Sequence, residues 1–399
     1  MPARRRRVAI LGSTGSIGVQ ALEVIDALNA DAIAGGGGDA FEVVALVAHR
    51  NGELLAQQAR RYRPKFIGLT DKPAAAAHRE LLASCGGEVL AGPGALAQVA
   101  SHPDVDVVLH AVLGAAGLAA SFAAARAGKT LALANKESLV VGGSLLTDAA
   151  RQGGARILPV DSEHSAVFQA MQCGRRDEVD RVILTASGGP FRTWPAERIR
   201  TARVEDALAH PTWAMGDAIT VGSATLFNKA LEVIEAVRLF DLAPEQVGVV
   251  VHPESVVHSM VEYRDGSTMA QLGPPDMKTP IGYALTWPAR GRPGGRRMDW
   301  SVASRLTFEP PDEARFPALR LAREALAAGG TAPVTLNAAN EVAVGRFLAR
   351  RLAFGRISEV VEAALQRVPC ERVTCLAGLL EADARARRVA SELADGVGA

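Results

Sequence analysis

Val8-Ala9-Ile10-Leu11-Gly12-Ser13-Thr14-Gly15-Ser16-Ile17-Gly18 decides the fold of this chain. Four apolar residues in a row suit a strand buried on both faces. Glycines then turn the chain, and residues 19–30 continue as an amphipathic helix. Strand, glycine turn and helix is the order a pyrophosphate requires. Residues without side chains let the backbone approach, and the helix N-terminus offers N–H donors with a partial positive charge. The spacing is GxxGxxG rather than GxGxxG, so the position directly after the first strand carries the reading.

Outward from this stretch, apolar runs at 43–47, 66–69, 105–109 and 130–134 alternate with helical stretches at 53–62 and 116–127. The alternation predicts a doubly wound, Rossmann-type α/β domain over residues 1–150. Beyond it, strand-like runs at 182–184, 247–251, 256–263 and 268–272, with a hairpin turn at Asp265-Gly266, predict a central α/β domain over 151–287. Its polar, tryptophan-bearing stretch 188–216 has weak periodicity and reads as a mobile lid. A Pro/Gly/Arg linker spans 288–311. Apolar positions at helical spacing in 318–328, 336–351, 357–366 and 376–393 predict a small α-helical domain over 312–399.

Composition narrows the class. A chain of 399 residues is too long for one core. With 48% hydrophobic and 22% charged residues it reads as soluble and globular, and a net charge of +1 gives no field that draws it to nucleic acid or membrane. The one dense charge block, Arg4-Arg5-Arg6-Arg7, reads as a solvated tail before the first strand. Cys85, Cys173, Cys370 and Cys375 are scattered without metal spacing, as free thiols of a reducing compartment are. No apolar stretch approaches the roughly 18–20 residues that span a bilayer. The cytoplasm is the expected location.

Four polar segments carry the chemistry. The second strand ends Ala48-His49-Arg50-Asn51, where Arg50 offers a guanidinium to a 2′-phosphate and no carboxylate stands in the segment to repel it. This predicts NADPH over NADH, although Arg50 reads equally well as an exposed strand-end arginine. Ala134-Asn135-Lys136-Glu137-Ser138 follows another strand, at the end that lines the ligand crevice. Lys136 there suits an anionic or carbonyl-bearing substrate, with Asn135 and Glu137 flanking the cofactor. In Pro159-Val160-Asp161-Ser162-Glu163-His164, an extended backbone would aim Asp161 and Glu163 the same way, at a hard divalent cation. His164 reads as a packing or hydrogen-bonding residue, and His252 and His258 as structural. The stretch 223–232 reads as a helix start capped by Ser223, with Asn228 and Glu232 on one face. Glu232 can complete a three-carboxylate site, while Ser223, Asn228 and Lys229 offer donors to a phosphate. An oxygen-only set favours Mg²⁺ or Mn²⁺ over Zn²⁺.

The motifs GSTGSIG, GKTLALANKESLV, LPVDSEHSAVFQ, SGGPFR, HPTWAMG, SATLFNKALEVIEA, HPESVVHSMV, LGPPDMKTPI and LNAANEVAV run in order along nearly the whole chain. In them the sequence resembles the 1-deoxy-D-xylulose 5-phosphate reductoisomerases of non-mevalonate isoprenoid biosynthesis. The resemblance implies an NADPH domain, a catalytic domain and a helical domain in a homodimer. It also implies isomerisation of 1-deoxy-D-xylulose 5-phosphate to a branched aldehyde, which is reduced to 2-C-methyl-D-erythritol 4-phosphate. By the same resemblance Thr14, Gly15, Ser16, Ile17, Arg50, Asn51, Asn135, Glu137 and Gly216 hold NADPH, and Asp161, Glu163 and Glu232 bind the metal. Lys136, Ser162 and Glu163 face the substrate's carbonyl and hydroxyl end, and Ser187, His210, Ser223, Asn228 and Lys229 its phosphate end and backbone. Trp213 and Met215 lie on the lid, and Met277 near the nicotinamide.

The chain departs from the family pattern at His49, Ala218, Gly222 and Ala230, where glycine, lysine, aspartate and glycine are usual. Gly222 is expected to loosen the turn before Ser223. Two other readings compete. One is a plain NADP-dependent dehydrogenase of the semialdehyde or homoserine type, which has no use for three metal carboxylates. The other is a non-catalytic NADPH-binding relative, which the substitutions at 218 and 222 keep open.

Overall fold

The computed structural model describes residues 5–38, 40–213, 215–301 and 305–396. Arg4 of the basic run, residue 214 of the expected lid, 302–304 of the expected linker and 397–399 of the expected helical domain lie outside them. The chain groups into two units. The first takes residues up to 138, 146–165 and 276–296, and the second takes 139–145, 166–275 and the remainder from 297.

The first unit is built on seven parallel strands: β1 (Arg6–Leu11), β2 (Phe41–Ala48), β3 (Phe66–Leu69), β4 (Glu88–Ala91), β5 (Val107–His110), β6 (Thr130–Leu133) and β7 (Arg156–Pro159), in spatial order β4-β3-β2-β1-β5-β6-β7. The order reverses about β1, as a doubly wound sheet requires. β1, β3 and β5 bury nearly every side chain, which is why their sequences are unbroken apolar runs. β4 and β7 were not expected as strands, because each mixes exposed with buried positions over four residues. The helix Ser16–Ala34 starts directly after the glycine turn. Close approach dictates the glycines: Gly12 has φ +90°, and a Cβ on Gly18 would lie 2.3 Å from Gly12 O.

Two expectations change here. Arg6 and Arg7 form part of β1 rather than a solvated tail: Arg6 Nη1 donates to Leu285 O at 2.6 Å, and Arg7 pairs with Asp106 and Asp104 at 2.9 and 3.1 Å. The linear division at residue 150 also gives way. β7 completes the first sheet, and the helix Lys278–Thr286 returns to pack on Ser16–Ala34, β6 and β7. Arg156 of β7 stacks 4.4 Å from the Trp287 ring, fastening that return.

The second unit holds β8 (Val179–Ala186), β9 (Val247–Val251), β10 (Val257–Tyr263) and β11 (Thr268–Leu272), in order β11-β10-β8-β9, with only β8 and β9 parallel. Gly266, at φ +86°, makes the expected hairpin turn. The helix Phe227–Leu239 packs on β8 and β9. The helices Ala318–Ala328, Ala332–Leu348, Arg356–Arg367 and Leu376–Ala394 follow, and their apolar faces share one core with the sheet. The expected helical C-terminal part is present, and its core is continuous with that of the sheet.

The stretch expected as one long lid is largely packed. Ala196–Arg200 and Val204–Leu208 are helical, and Phe191 is fully buried with its ring 4.8 Å from Phe354. Arg315 donates to Trp194 O at 2.6 Å, and Arg192 pairs with Glu309 at 2.8 Å. Residues 209–213, 215 and 216 lie outside any helix or strand. Among the described residues no helix is long and apolar enough to cross a membrane.

Two of the buried histidines, His110 and His258, are held neutral in these frameworks. Burial pushes the His110 imidazole down to about 4, with Nε2 donating to Gly117 O at 2.9 Å. Burial likewise pushes His258 down to about 4. A histidine held neutral in the fold but protonated when unfolded takes up protons on unfolding, so stability falls as the pH drops below the unfolded value near 6.5. The loss amounts to about 2 kcal/mol per histidine at pH 5. Urea midpoints should therefore drop between pH 7 and pH 5, and His110→Asn should flatten that dependence.

Candidate active site

In the first unit the glycine loop sits against the neighbouring strand: Gly12 N and Ser13 N donate to Val47 O at 2.7 and 3.0 Å. Gly15 precedes the first turn of Ser16–Ala34, so the N–H groups of Ser16 and Ile17 face outward from a 19-residue helix. Such a turn can take a diphosphate. Thr14, Gly15 and Ser16 are all solvent-accessible within it.

At the tip of β2, Asn51 caps the helix Gly52–Tyr62, its Oδ1 accepting from Leu54 N at 3.1 Å. Arg50 is exposed, yet its Nε donates to Asp71 Oδ2 at 2.9 Å. The expectation of no carboxylate at this strand end is corrected. β3 runs parallel to β2 and delivers Asp71 from a segment twenty-one residues on in sequence, where a local reading finds no trace of it. Ala74 N and Arg50 hold the Asp71 carboxyl below the usual carboxylate range.

Asn135 and Glu137 are tied to the loop after β5. Asn135 Nδ2 lies 2.6 Å from Val112 O and 3.0 Å from Gly114 O, and Gly114 N donates to Glu137 Oε1 at 3.3 Å. They shape the loop that follows the buried His110, a residue the sequence reading passed over. A polar ring closing an otherwise apolar strand was the available signal. Met277 stands at the N-terminus of the helix Lys278–Thr286.

Pairing of β6 with β7 sets Leu133 opposite Pro159, and so brings Lys136 and Asp161, just past the two strand ends, together. Lys136 Nζ donates to Asp161 Oδ2 at 2.5 Å, with both side chains about nine-tenths buried, at 11% and 10% exposure. The segment is not extended, as the alternation argument assumed. Asp161 heads the helix Ser162–Ala170: its Oδ1 accepts from Glu163 N at 3.1 Å, and its carbonyl from Ser165 N at 2.8 Å. Aspartate is among the strongest helix caps, and that preference overrides a two-residue strand pattern. Asp161 Oδ1 also lies 3.1 Å from Nδ1 of the buried His164, and Ser162 Oγ donates to Glu163 Oε2 at 2.7 Å.

In the second unit, β8 ends at Ala186 and the chain turns through Gly188 and Gly189, at φ +82° and +66°. A Cβ on Gly189 would lie 2.7 Å from Ser223 O, so this turn admits no side chain. The turn sets Ser187 Oγ 3.0 Å from His210 Nε2 and 3.5 Å from Ser223 Oγ, with His210 Nε2 3.1 Å from Ser223 Oγ. His210 Nδ1 accepts from Thr212 N and Trp213 N at 3.2 and 3.0 Å, which leaves the ring hydrogen on Nε2, toward the two hydroxyls. Burial lowers this imidazole below its ordinary value, so the group is a neutral donor.

Ser223 does not cap a helix start. It lies in the last turn of Asp217–Ala224, and the helix Phe227–Leu239 begins only after Leu226, at φ +61°. Along that second helix, Asn228 Nδ2 donates to Glu232 Oε1 at 2.5 Å and Lys229 pairs with Glu232 Oε2. Glu232 is fully buried. Gly222 lies within Asp217–Ala224 rather than in a loosened turn, and a Cβ there would meet Asn228 at an ordinary 3.5 Å. Ala218 is exposed and Ala230 buried, while Gly216, Trp213 and Met215 lie on the segment leading into Asp217–Ala224. The Trp213 ring is 6.1 Å from that of His258.

Three family models match the chain. 1-Deoxy-D-xylulose 5-phosphate reductoisomerase covers residues 8–143, its C-terminal domain 157–240, and a DXP reductoisomerase C-terminal domain 272–389. A reductoisomerase of Aromatoleum aromaticum is 51% identical over 396 residues, covering 98% of this chain and 96% of its own length. One of Rhodospirillum centenum is 52% identical over 388 residues, 97% of this chain and 94% of its own. Among solved structures, the Zymomonas mobilis reductoisomerase in complex with NADPH superposes with a TM-score of 0.89 at 43% identity, covering 98% of this chain and 100% of that one. A DOX-P reductoisomerase in complex with NADPH, fosmidomycin and magnesium gives 0.89 at 38% identity, with 98% of each chain covered. With three matched segments and half its residues identical across nearly its whole length, the chain belongs to the 1-deoxy-D-xylulose 5-phosphate reductoisomerase family.

Proposed function

We propose that the protein converts 1-deoxy-D-xylulose 5-phosphate to 2-C-methyl-D-erythritol 4-phosphate, using NADPH and a divalent cation, as a homodimer in the cytoplasm. The observation that carries this reading is the full-length likeness at about half identical residues to reductoisomerases. The geometry supports it: each partial task of such a reaction has side chains fitted to it.

The glycine loop and Thr14, Gly15, Ser16 and Ile17 take the coenzyme's pyrophosphate, Arg50 and Asn51 its ribose end, and Asn135, Glu137 and Gly216 the remainder. Ser187, His210 and Ser223 converge as neutral donors, which suits a phosphate without committing a fixed charge to every oxygen. Asn228 and Lys229, both bonded to Glu232, extend that donor set at the start of one helix. Lys136, Ser162 and Glu163 serve the carbonyl and hydroxyl end, where the Lys136 ammonium steadies developing negative charge on oxygen. Trp213 and Met215 cover the reacting groups and exclude water, protecting an aldehyde until it is reduced.

Asp161, Glu163 and Glu232 would hold the cation. Their donors are all oxygen, and Glu232 is a fully buried carboxylate, so the set fits a hard ion such as Mg²⁺ or Mn²⁺. When bound, the ion supplies Lewis acidity toward neighbouring carbonyl and hydroxyl oxygens. A plain dehydrogenase has no task for this acid set, and Gly222 leaves its helix intact, which removes the main argument for a non-catalytic relative.

Two outcomes test the reading. Asp161→Asn and Glu232→Gln should each lose at least about a hundredfold in turnover of NADPH with substrate and Mg²⁺, while circular dichroism stays unchanged. Turnover near wild type at limiting Mg²⁺ would remove these residues from the metal site. Arg50→Ala should raise the NADPH KM about tenfold and leave that for NADH nearly unchanged. Equal efficiency of wild type with both coenzymes would overturn the assignment.

A further inference from the structure

β2 and β3 each pass to a helix through a short turn, and the two turns lie side by side. Thr70 N donates to Ala48 O at 3.0 Å, and Asp71 N to His49 O at 3.1 Å. Side chains pair across the same gap. His49 Nδ1 lies 2.9 Å from Thr70 Oγ1, beside the 2.9 Å contact of Arg50 Nε with Asp71 Oδ2. Asp71 is itself fixed, its Oδ1 accepting from Ala74 N at 3.0 Å as it caps the helix Lys72–Ala77. An exposed imidazole and an exposed guanidinium are thus bracketed next to each other at the tip of β2.

This tip adjoins the pyrophosphate loop, because Gly12 N and Ser13 N bond to Val47 O, two residues before His49. In folds of this kind the residues beyond the second strand read the ribose 2′ substituent. A phosphate there brings close to two negative charges and three acceptor oxygens. The Arg50–Asp71 pair is neutral in sum, so the guanidinium alone does not balance that charge. A second N–H donor beside it would meet another of the phosphate's acceptor oxygens. When the Thr70 hydroxyl donates to Nδ1, the ring hydrogen sits on Nε2, on the edge remote from Thr70.

We propose that His49 is a second ligand of the coenzyme's 2′-phosphate: Thr70 holds the ring through Nδ1, and Nε2–H donates to a phosphate oxygen beside Arg50. Thr70 and Asp71 are positioning residues that orient the two ligands. The inference rests on the NADPH reading above and adds a specificity-determining residue to it.

Calorimetric titration of the whole protein with adenosine 2′,5′-bisphosphate and with adenosine 5′-monophosphate isolates the 2′-phosphate, the one group by which the two probes differ. Wild type should bind the bisphosphate more tightly. His49→Ala should weaken the bisphosphate about three- to tenfold and leave the monophosphate unchanged. His49→Gln, which keeps an N–H donor, should recover part of the loss. Equal losses for both probes, as damage to the site would give, or no loss for either, overturn the role of His49. If Arg50→Ala abolishes the preference and His49→Ala preserves it, only the present inference falls. If wild type binds both probes alike, the NADPH reading falls with it.

Discussion

A carboxylate withdrawn from water must be met by positive charge and hydrogen bonds, or it cannot stay where it is. The site depends on this constraint. Glu232 meets it within a single turn of its own helix, through Asn228 and Lys229. Asp161 meets it across two strand ends, through Lys136, and at its own helix start, through Glu163 N. The two lysines therefore have a task in the fold itself. Each holds its own acid out of water and fixes that acid's geometry before any ligand arrives.

The fold supplies the positions. Parallel pairing puts the C-terminal ends of β1, β2, β3, β5, β6 and β7 along one edge, and each end releases a turn bearing polar side chains. Register decides which of those side chains meet. Leu133 opposite Pro159 brings Lys136 to Asp161, just as Ala48 opposite Leu69 brings Arg50 to Asp71. In the second unit two glycines do the equivalent work, letting Ser187 approach Ser223 and His210.

Much of this was legible in the sequence, for reasons that are local. Buried parallel strands announce themselves as apolar runs, and the glycine turn after β1 has one geometric use. The candidate side chains were legible too, because they sit in segments with recognisable motifs. What escaped was set by distant partners or by competing local preferences. Asp71 lies beyond a helix and a strand from Arg50, so only the pairing of β2 with β3 exposes it. The alternation of Asp161 and Glu163 suggested an extended chain, yet aspartate's tendency to cap a helix won. Ser223 looked like a cap but ends a helix, because Leu226 breaks the chain three residues later. β4 and β7 were missed because edge-ward strands carry mixed exposure. The packed start of the expected lid was missed because Phe191 is anchored by Phe354, far along the chain.

The return of residues 276–296 to the first unit bears on how the polypeptide is made. A ribosome delivers β1 through β7 early, but the helix Lys278–Thr286, which covers β6, β7 and the first helix, emerges more than a hundred residues afterwards. Until then the surface that this helix covers on β6, β7 and the first helix stays bare. Vectorial synthesis thus leaves the first unit waiting on a segment made after much of the second, and places the interval of greatest exposure to misassociation, or to chaperone capture, in the middle of translation.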